Sequence, residues 1–160
     1  MMIGLPGSGK STWADQFCKQ RPDYELIATD TIRYQLFGDE AIQGEWRLVW
    51  REVQRRLKVA RDAIALNQLT GVVYDATNAR RRHRREFLEA AQSHGYDPIH
   101  ALWLDTPLAV CLARNQSRAR TVPPEVIEKM HRQLSDAPPG EAEGFASIKR
   151  IYDETSPALM

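Results

Sequence analysis

The sequence predicts an α/β fold with a parallel sheet covered by helices. Short apolar runs alternate with stretches of helical periodicity, and a glycine-rich loop joins the first run to the first helix. Five runs serve as strands: Met1 to Ile3, Leu26 to Ala28, Val72 to Asp75, Ile99 to Leu104 and Ile148 to Tyr152. Helical spacing fills the intervals near Ser11 to Gln20, Gly44 to Leu69, Arg80 to His94, Pro107 to Arg118 and Pro124 to Leu134.

Each element has its own signal. The first run stops at Gly4, and three residues reach only about 10 Å, so this strand is expected to start upstream of Met1. In the second helix Trp46, Val49, Trp50, Val53, Leu57, Ala60 and Ile64 recur at three-and-four spacing, which reads the tryptophans as core in preference to a base-stacking platform. Pro107, Pro123 and Pro124 mark helix starts. The segment from Asp136 to Gly144, rich in Pro, Gly and acid, reads as the connection to the last strand.

With 160 residues, 42% hydrophobic and 27% charged, the chain suits one domain over 1–160. A formal net charge of +1 supplies no global field, so a polyanion has to be held by a local basic patch. Cys18 and Cys111 fall in helical stretches and read as thiols in a reducing compartment. No apolar run matches a membrane span and the glycine loop leaves no room for a signal peptide, so no membrane and a cytoplasmic location are expected. His83, His94, His100 and His131 lack the spacing of a zinc site.

Gly4-Leu5-Pro6-Gly7-Ser8-Gly9-Lys10-Ser11 satisfies G-x-x-x-x-G-K-[ST] between a strand and a helix. Glycines let the backbone turn N–H groups around a phosphate, and the helix start adds its positive dipole end. Gly7, Ser8, Gly9, Lys10, Ser11 and Thr12 are the expected cofactor-binding residues, Lys10 also acting on the transferring phosphate and Ser11 ligating magnesium. ATP, or GTP or another nucleoside triphosphate, is the expected cofactor.

Three further constellations carry chemistry. Asp30 follows the second strand at the carboxyl edge of the sheet, where a general base is useful, with Arg33 one helical turn on; the plain alternative is a helix cap by Thr29 or Asp30. Asp75 ends an apolar strand as a Walker B carboxylate does and is the second magnesium candidate, unless Asp75, Thr77 and Asn78 only form a turn. Arg114 and Arg118, four apart on a presumed helix without acids at helical spacing, point to an anion and to a lid over about 114–124, with Arg118 catalytic and both arginines binding the nucleotide. In Arg80-Arg81-Arg82-His83-Arg84-Arg85, Arg80, Arg81 and Arg84 have no acid at that spacing and read equally as a phosphate contact or a solvated face.

GLPGSGKSTW, Asp30-Thr31-Ile32-Arg33, Val73-Tyr74-Asp75-Ala76-Thr77-Asn78 and Arg114-Asn115-Gln116-Ser117-Arg118 together resemble the polynucleotide 5′-hydroxyl kinases, over a stretch running to about Tyr152. The resemblance implies a P-loop kinase three-layer fold: a five-stranded parallel sheet of order 2-3-1-4-5, helices on both faces and a helical arginine lid. It implies Asp30 as general base, Arg33 holding that base and the acceptor's phosphate, and Arg114 and Arg118 in the lid. A 5′-hydroxyl polynucleotide is then the expected partner, and without an Asp-x-Asp-x-Thr motif or ligase segment the expected activity is that of a kinase alone. A kinase of a nucleoside or other small metabolite, and a non-catalytic nucleotide-binding module, are the alternatives.

Overall fold

A computed structural model describes residues 1–39, 42 and 44–152. Its elements are β1 (Met2–Ile3), α1 (Lys10–Gln20), β2 (Tyr24–Ala28), α2 (Thr29–Phe37), α3 (Trp46–Ala65), β3 (Gly71–Asp75), α4 (Arg81–Ser93), β4 (His100–Asp105), α5 (Leu108–Gln116), α6 (Pro124–Asp136), a 3₁₀ turn (Glu141–Glu143) and β5 (Ser147–Tyr152). All five expected strands form, and all ladders among the described residues are parallel. They make a three-stranded sheet in the order β1-β4-β5 and a two-stranded sheet of β2 and β3.

The chain divides into two compact units interleaved in sequence: one holds Met1–Lys10, Thr77–Leu88 and the chain from Pro98 onward, the other Ser11–Ala76 and Glu89–Asp97. In the first unit Met2 lies opposite Leu102 and Ile3 opposite Trp103, and β4 runs in register with β5 from His100↔Ser147 to Asp105↔Tyr152. Its buried apolar residues include Ile3, Leu88, Ala101, Cys111, Ile127 and Leu134. In the second unit β2 and β3 pair from Tyr24↔Gly71 to Ala28↔Asp75, over a core that includes Ala14, Ile27, Ile32, Val53 and Leu57. Both cysteines are free, Cys111 buried and Cys18 half-buried.

Three sequence expectations need correction. The helix expected over Gly44 to Leu69 is shorter: it starts at Trp46 and ends at Ala65, where Asn67 takes a φ of 57° and turns the chain into the left-handed region. Its buried stripe is Val49, Val53, Leu57 and Ala60; Trp50 is half-buried, and Trp46 is 40% exposed. Periodicity placed Trp46 on the right stripe, but that stripe runs past the first turn of the helix beyond the packed core.

The helix expected to run to Arg118 ends at Gln116. Ser117 Oγ donates to the Arg114 carbonyl at 2.9 Å, and the Arg118 N–H turns back to the Asn115 carbonyl at 3.3 Å. Buried Asn115 then braces the following loop, its side-chain amide donating to the Val122 carbonyl at 2.8 Å and its Oδ1 accepting from the Val122 N–H at 2.9 Å. A side chain that pairs twice with backbone seven residues away competes with helix continuation.

Arg84 is neither a phosphate contact nor part of a solvated face. It is fully buried, gives Glu143 two bonds at 2.7 and 2.8 Å, and donates to the carbonyls of Asn78, Ala79 and Ala137. Its acid lies fifty-nine residues away in sequence, so inspection at helical spacing could not find it. Arg81 approaches the same carboxylate at 3.8 Å, while Arg80 is exposed.

Candidate active site

In the first unit the chain leaves β1 and turns through Gly7 and Gly9, whose φ values of 83° and 90° lie in the left-handed region that costs other residues energy. A Cβ on Gly7 would sit 2.5 Å from the Cys111 carbonyl oxygen, so this turn packs directly on α5. Ser8 is buried and its Oγ has no hydrogen-bond partner, while its carbonyl accepts from Thr106 Oγ1 at 3.1 Å. Lys10 Nζ donates to the Leu5 carbonyl at 3.4 Å, closing the loop on itself. Arg114 lies half-buried in the last turn of α5, and Arg118 is exposed beyond its end.

The adjoining Asn78 has a φ of 52° and is buried, its amide donating to the Met2 carbonyl at 2.7 Å; the Gly4 N–H donates to the Thr77 carbonyl at 3.1 Å. The Thr77-Asn78 turn therefore anchors the strand that feeds the glycine loop. Partial burial, with Arg80 and Arg82 nearby, pulls the His83 pKa below its ordinary value. The same unit holds a partly open cavity of about 370 Å³ lined by Leu5, Trp103, Thr106, His131, Leu134 and Arg150, and the Trp103 Nε1 is buried without a hydrogen-bond partner. Nothing in the sequence spacing marked this cavity or Thr106.

In the second unit Ser11 and Thr12 are exposed in the first turn of α1. Ser11 Oγ donates to Asp75 Oδ2 at 2.7 Å, and the buried Asp75 leaves Oδ1 without a partner. A serine hydroxyl beside a carboxylate with a spare buried oxygen is a donor set that suits a hard divalent cation such as magnesium. The Thr29 hydroxyl meets the Asp75 carbonyl at 3.5 Å, so the ends of β2 and β3 are tied together.

α2 begins at Thr29, with Ala28 in the N-cap position, so neither Thr29 nor Asp30 serves as the N-cap residue. Asp30 instead stands in the first turn, where the helix dipole favours a negative charge. Arg33 Nη1 donates to Asp30 Oδ1 at 2.8 Å; the Asp30 side chain is 48% exposed and that of Arg33 only 13%. The Arg33 Nε is buried without a hydrogen-bond partner, and its guanidinium lies 5.9 Å from the Trp46 ring centroid. A held carboxylate open to solvent, beside a largely buried cation with an unmet donor, suits an acceptor that brings both a proton and an anion.

Residues 1–137 match the profile of the AAA domain family AAA_33. The chain belongs to that family. The matched stretch includes Gly7 to Thr12, Asp30, Arg33, Asp75, Arg114 and Arg118. The L-seryl-tRNA(Sec) kinase of Methanococcus maripaludis is 28% identical over 138 residues, covering 84% of this chain and 51% of that protein. Transcription factor bHLH140 of Arabidopsis thaliana is 30% identical over 120 residues, covering 74% of the chain and 11% of that protein. Two solved structures share the fold at 22% identity. The structure of the Pnkp1/Rnl/Hen1 RNA repair complex superposes with a TM-score of 0.67 over 84% of this chain and 43% of its own. A second, of the Pnkp1/Rnl/Hen1 complex, gives 0.56 over 76% and 39%. The chain thus spans about half or less of the proteins it matches.

Proposed function

We propose that this chain is an ATP-dependent phosphotransferase of the P-loop kind that phosphorylates a hydroxyl of a nucleic acid, the 5′-hydroxyl of an RNA or DNA strand. The observation that carries the reading is the Asp30–Arg33 pair at 2.8 Å, in the same unit as the Ser11–Asp75 pair. A protein that only binds nucleotide has use for the second pair and none for the first. Support also comes from the similarity to an L-seryl-tRNA(Sec) kinase and from the fold shared with an RNA repair complex.

In this reading Gly7, Ser8, Gly9, Lys10, Ser11 and Thr12 cradle the phosphates of ATP, and Arg114 and Arg118 add charge from a lid over about 114–124. Ser11 and Asp75 would hold magnesium, which would supply neutralisation of charge on the phosphates. Asp30 takes the proton from the acceptor hydroxyl as its oxygen bonds to the γ-phosphorus, while the bond to the ADP oxygen breaks. Arg33 fixes the Asp30 carboxylate and places a cation beside it for the acceptor's first phosphate. Lys10 and Arg118 stabilise charge developing on the transferring group. The domain is one kinase domain over 1–160 with sheet order 2-3-1-4-5, of which the β2-β3 and β1-β4-β5 ladders are consistent parts.

The test is incubation with labelled ATP and magnesium against 5′-hydroxyl RNA and DNA oligonucleotides, seryl-tRNA, nucleosides and sugars. Label on an oligonucleotide, with affinity falling in salt by a slope matching a few phosphates, is the expected result. Label on a nucleoside or sugar alone would replace this reading with a small-metabolite kinase.

A further inference from the structure

We infer that the exposed aromatic surface of the second unit around Trp46 and Tyr34 is a stacking site for the terminal bases of a single-stranded polynucleotide acceptor. The inference rests on the polynucleotide reading above and adds to it a place for the bases. Seven large apolar side chains are exposed among the described residues, and four of them, Tyr34, Leu36, Ile42 and Trp46, fall between 34 and 46. That stretch of the sequence follows directly on Asp30 and Arg33, whereas Val59, Leu66 and Tyr152 are exposed elsewhere.

Two geometric facts attach this surface to the proposed chemistry. Tyr34, 59% exposed, is four residues from Asp30 on α2 and so lies on the same helix face, one turn away. Trp46 is also joined to the pair, since the Arg33 guanidinium that holds Asp30 lies 5.9 Å from its ring centroid. Trp50 stacks on Trp46 with centroids 6.1 Å apart and planes 21° apart, which stiffens the platform.

Charge decides between a nucleic acid and an apolar partner. Each tryptophan is followed by an exposed arginine, Arg47 after Trp46 and Arg51 after Trp50, and Arg47 meets Glu45 only at 3.8 Å with its side chain 82% exposed. Exposed cations on the same helix as the aromatics suit a strand that offers both bases and phosphates. Every base has a π-face, so the site tolerates any sequence but requires a base.

The test uses the full chain and 5′-hydroxyl oligonucleotides whose first two nucleotides carry bases or are abasic, with binding read by anisotropy of the labelled strand and transfer read separately. Wild-type protein should bind the abasic strand about tenfold more weakly, the loss expected for one to two stacked bases. Trp46→Ala should bind the normal strand about tenfold more weakly, no longer distinguish the two strands, and raise KM for the strand more than it lowers kcat. Trp46→Phe should restore most of the discrimination. Equal binding of both strands by wild type, or unchanged discrimination in Trp46→Ala, overturns the inference. So does loss of self-association in Trp46→Ala with discrimination intact, which would make the patch a contact between copies. Discriminating binding without any transfer would sink the kinase reading and leave the stacking site standing.

Discussion

At the scale of single residues, the loop and the Asp30–Arg33 pair make opposite demands on a mutation. Gly7→Ala forces a side chain into a φ of 83° and against the Cys111 carbonyl, so it should destabilise the fold by about 1–2 kcal/mol or more, measured by chemical denaturation. Lys10→Ala removes charge without removing packing; phosphoryl transfer should fall by on the order of a hundredfold or more with the melting temperature held. Undiminished turnover would remove Lys10 from the site. Asp30→Asn should lower kcat by about 10²- to 10⁴-fold and leave ATP affinity nearly unchanged, because a base acts on the acceptor proton and not on bound nucleotide. Equal loss of ATP affinity would mark Asp30 as structural. The spacing of these residues was legible in the sequence, since each follows a glycine or a strand end at a fixed local distance. The buried Nε of Arg33 was not, because nothing in the spacing shows which donors are met.

At the scale of elements, α3 carries the clearest pH dependence. Glu52 accepts from Arg55 and Arg56, and these bonds lower its carboxyl pKa from 4.5 to about 2. A carboxylate depressed by folding contributes stability that is full above its ordinary pKa and disappears as the pH falls through its folded one. The stability difference between wild type and Glu52→Gln should therefore be constant above about pH 5 and shrink steadily between about pH 4.5 and 2 in urea melts. A difference undiminished at pH 2 would exclude the ionic origin. At the end of α5 the four-residue helical spacing of Arg114 and Arg118 does not hold, since Arg118 lies beyond the helix. Arg118→Ala should leave the melting temperature within error while lowering turnover. Asn115→Ala removes both bonds to Val122 and should speed amide exchange across 117–122 without unfolding α5.

At the scale of the whole molecule, the buried Arg84–Glu143 pair joins segments far apart in sequence within one unit. Arg84→Ala would leave the Glu143 carboxylate, 3% exposed, without its partner, and should cost about 3–5 kcal/mol. A loss below about 1 kcal/mol would show that the carboxylate is met some other way. No helix among the described residues is long and apolar enough to cross a membrane. By itself the sequence determined the α/β class, the five strands, the glycine loop and the spacing that sets Asp30 beside Arg33, because periods of two and 3.6 residues and fixed loop positions are local properties. Tertiary structure alone decided that Arg84 is buried, that Trp46 is open, that Arg118 leaves its helix and that Thr106 meets Ser8. Each of those outcomes depends on a segment remote in the chain: the 3₁₀ turn around Glu143, the limit of the core beneath α3, Val122 and the end of β4. Local pattern fixes which face a residue shares, while burial is fixed by what packs against that face.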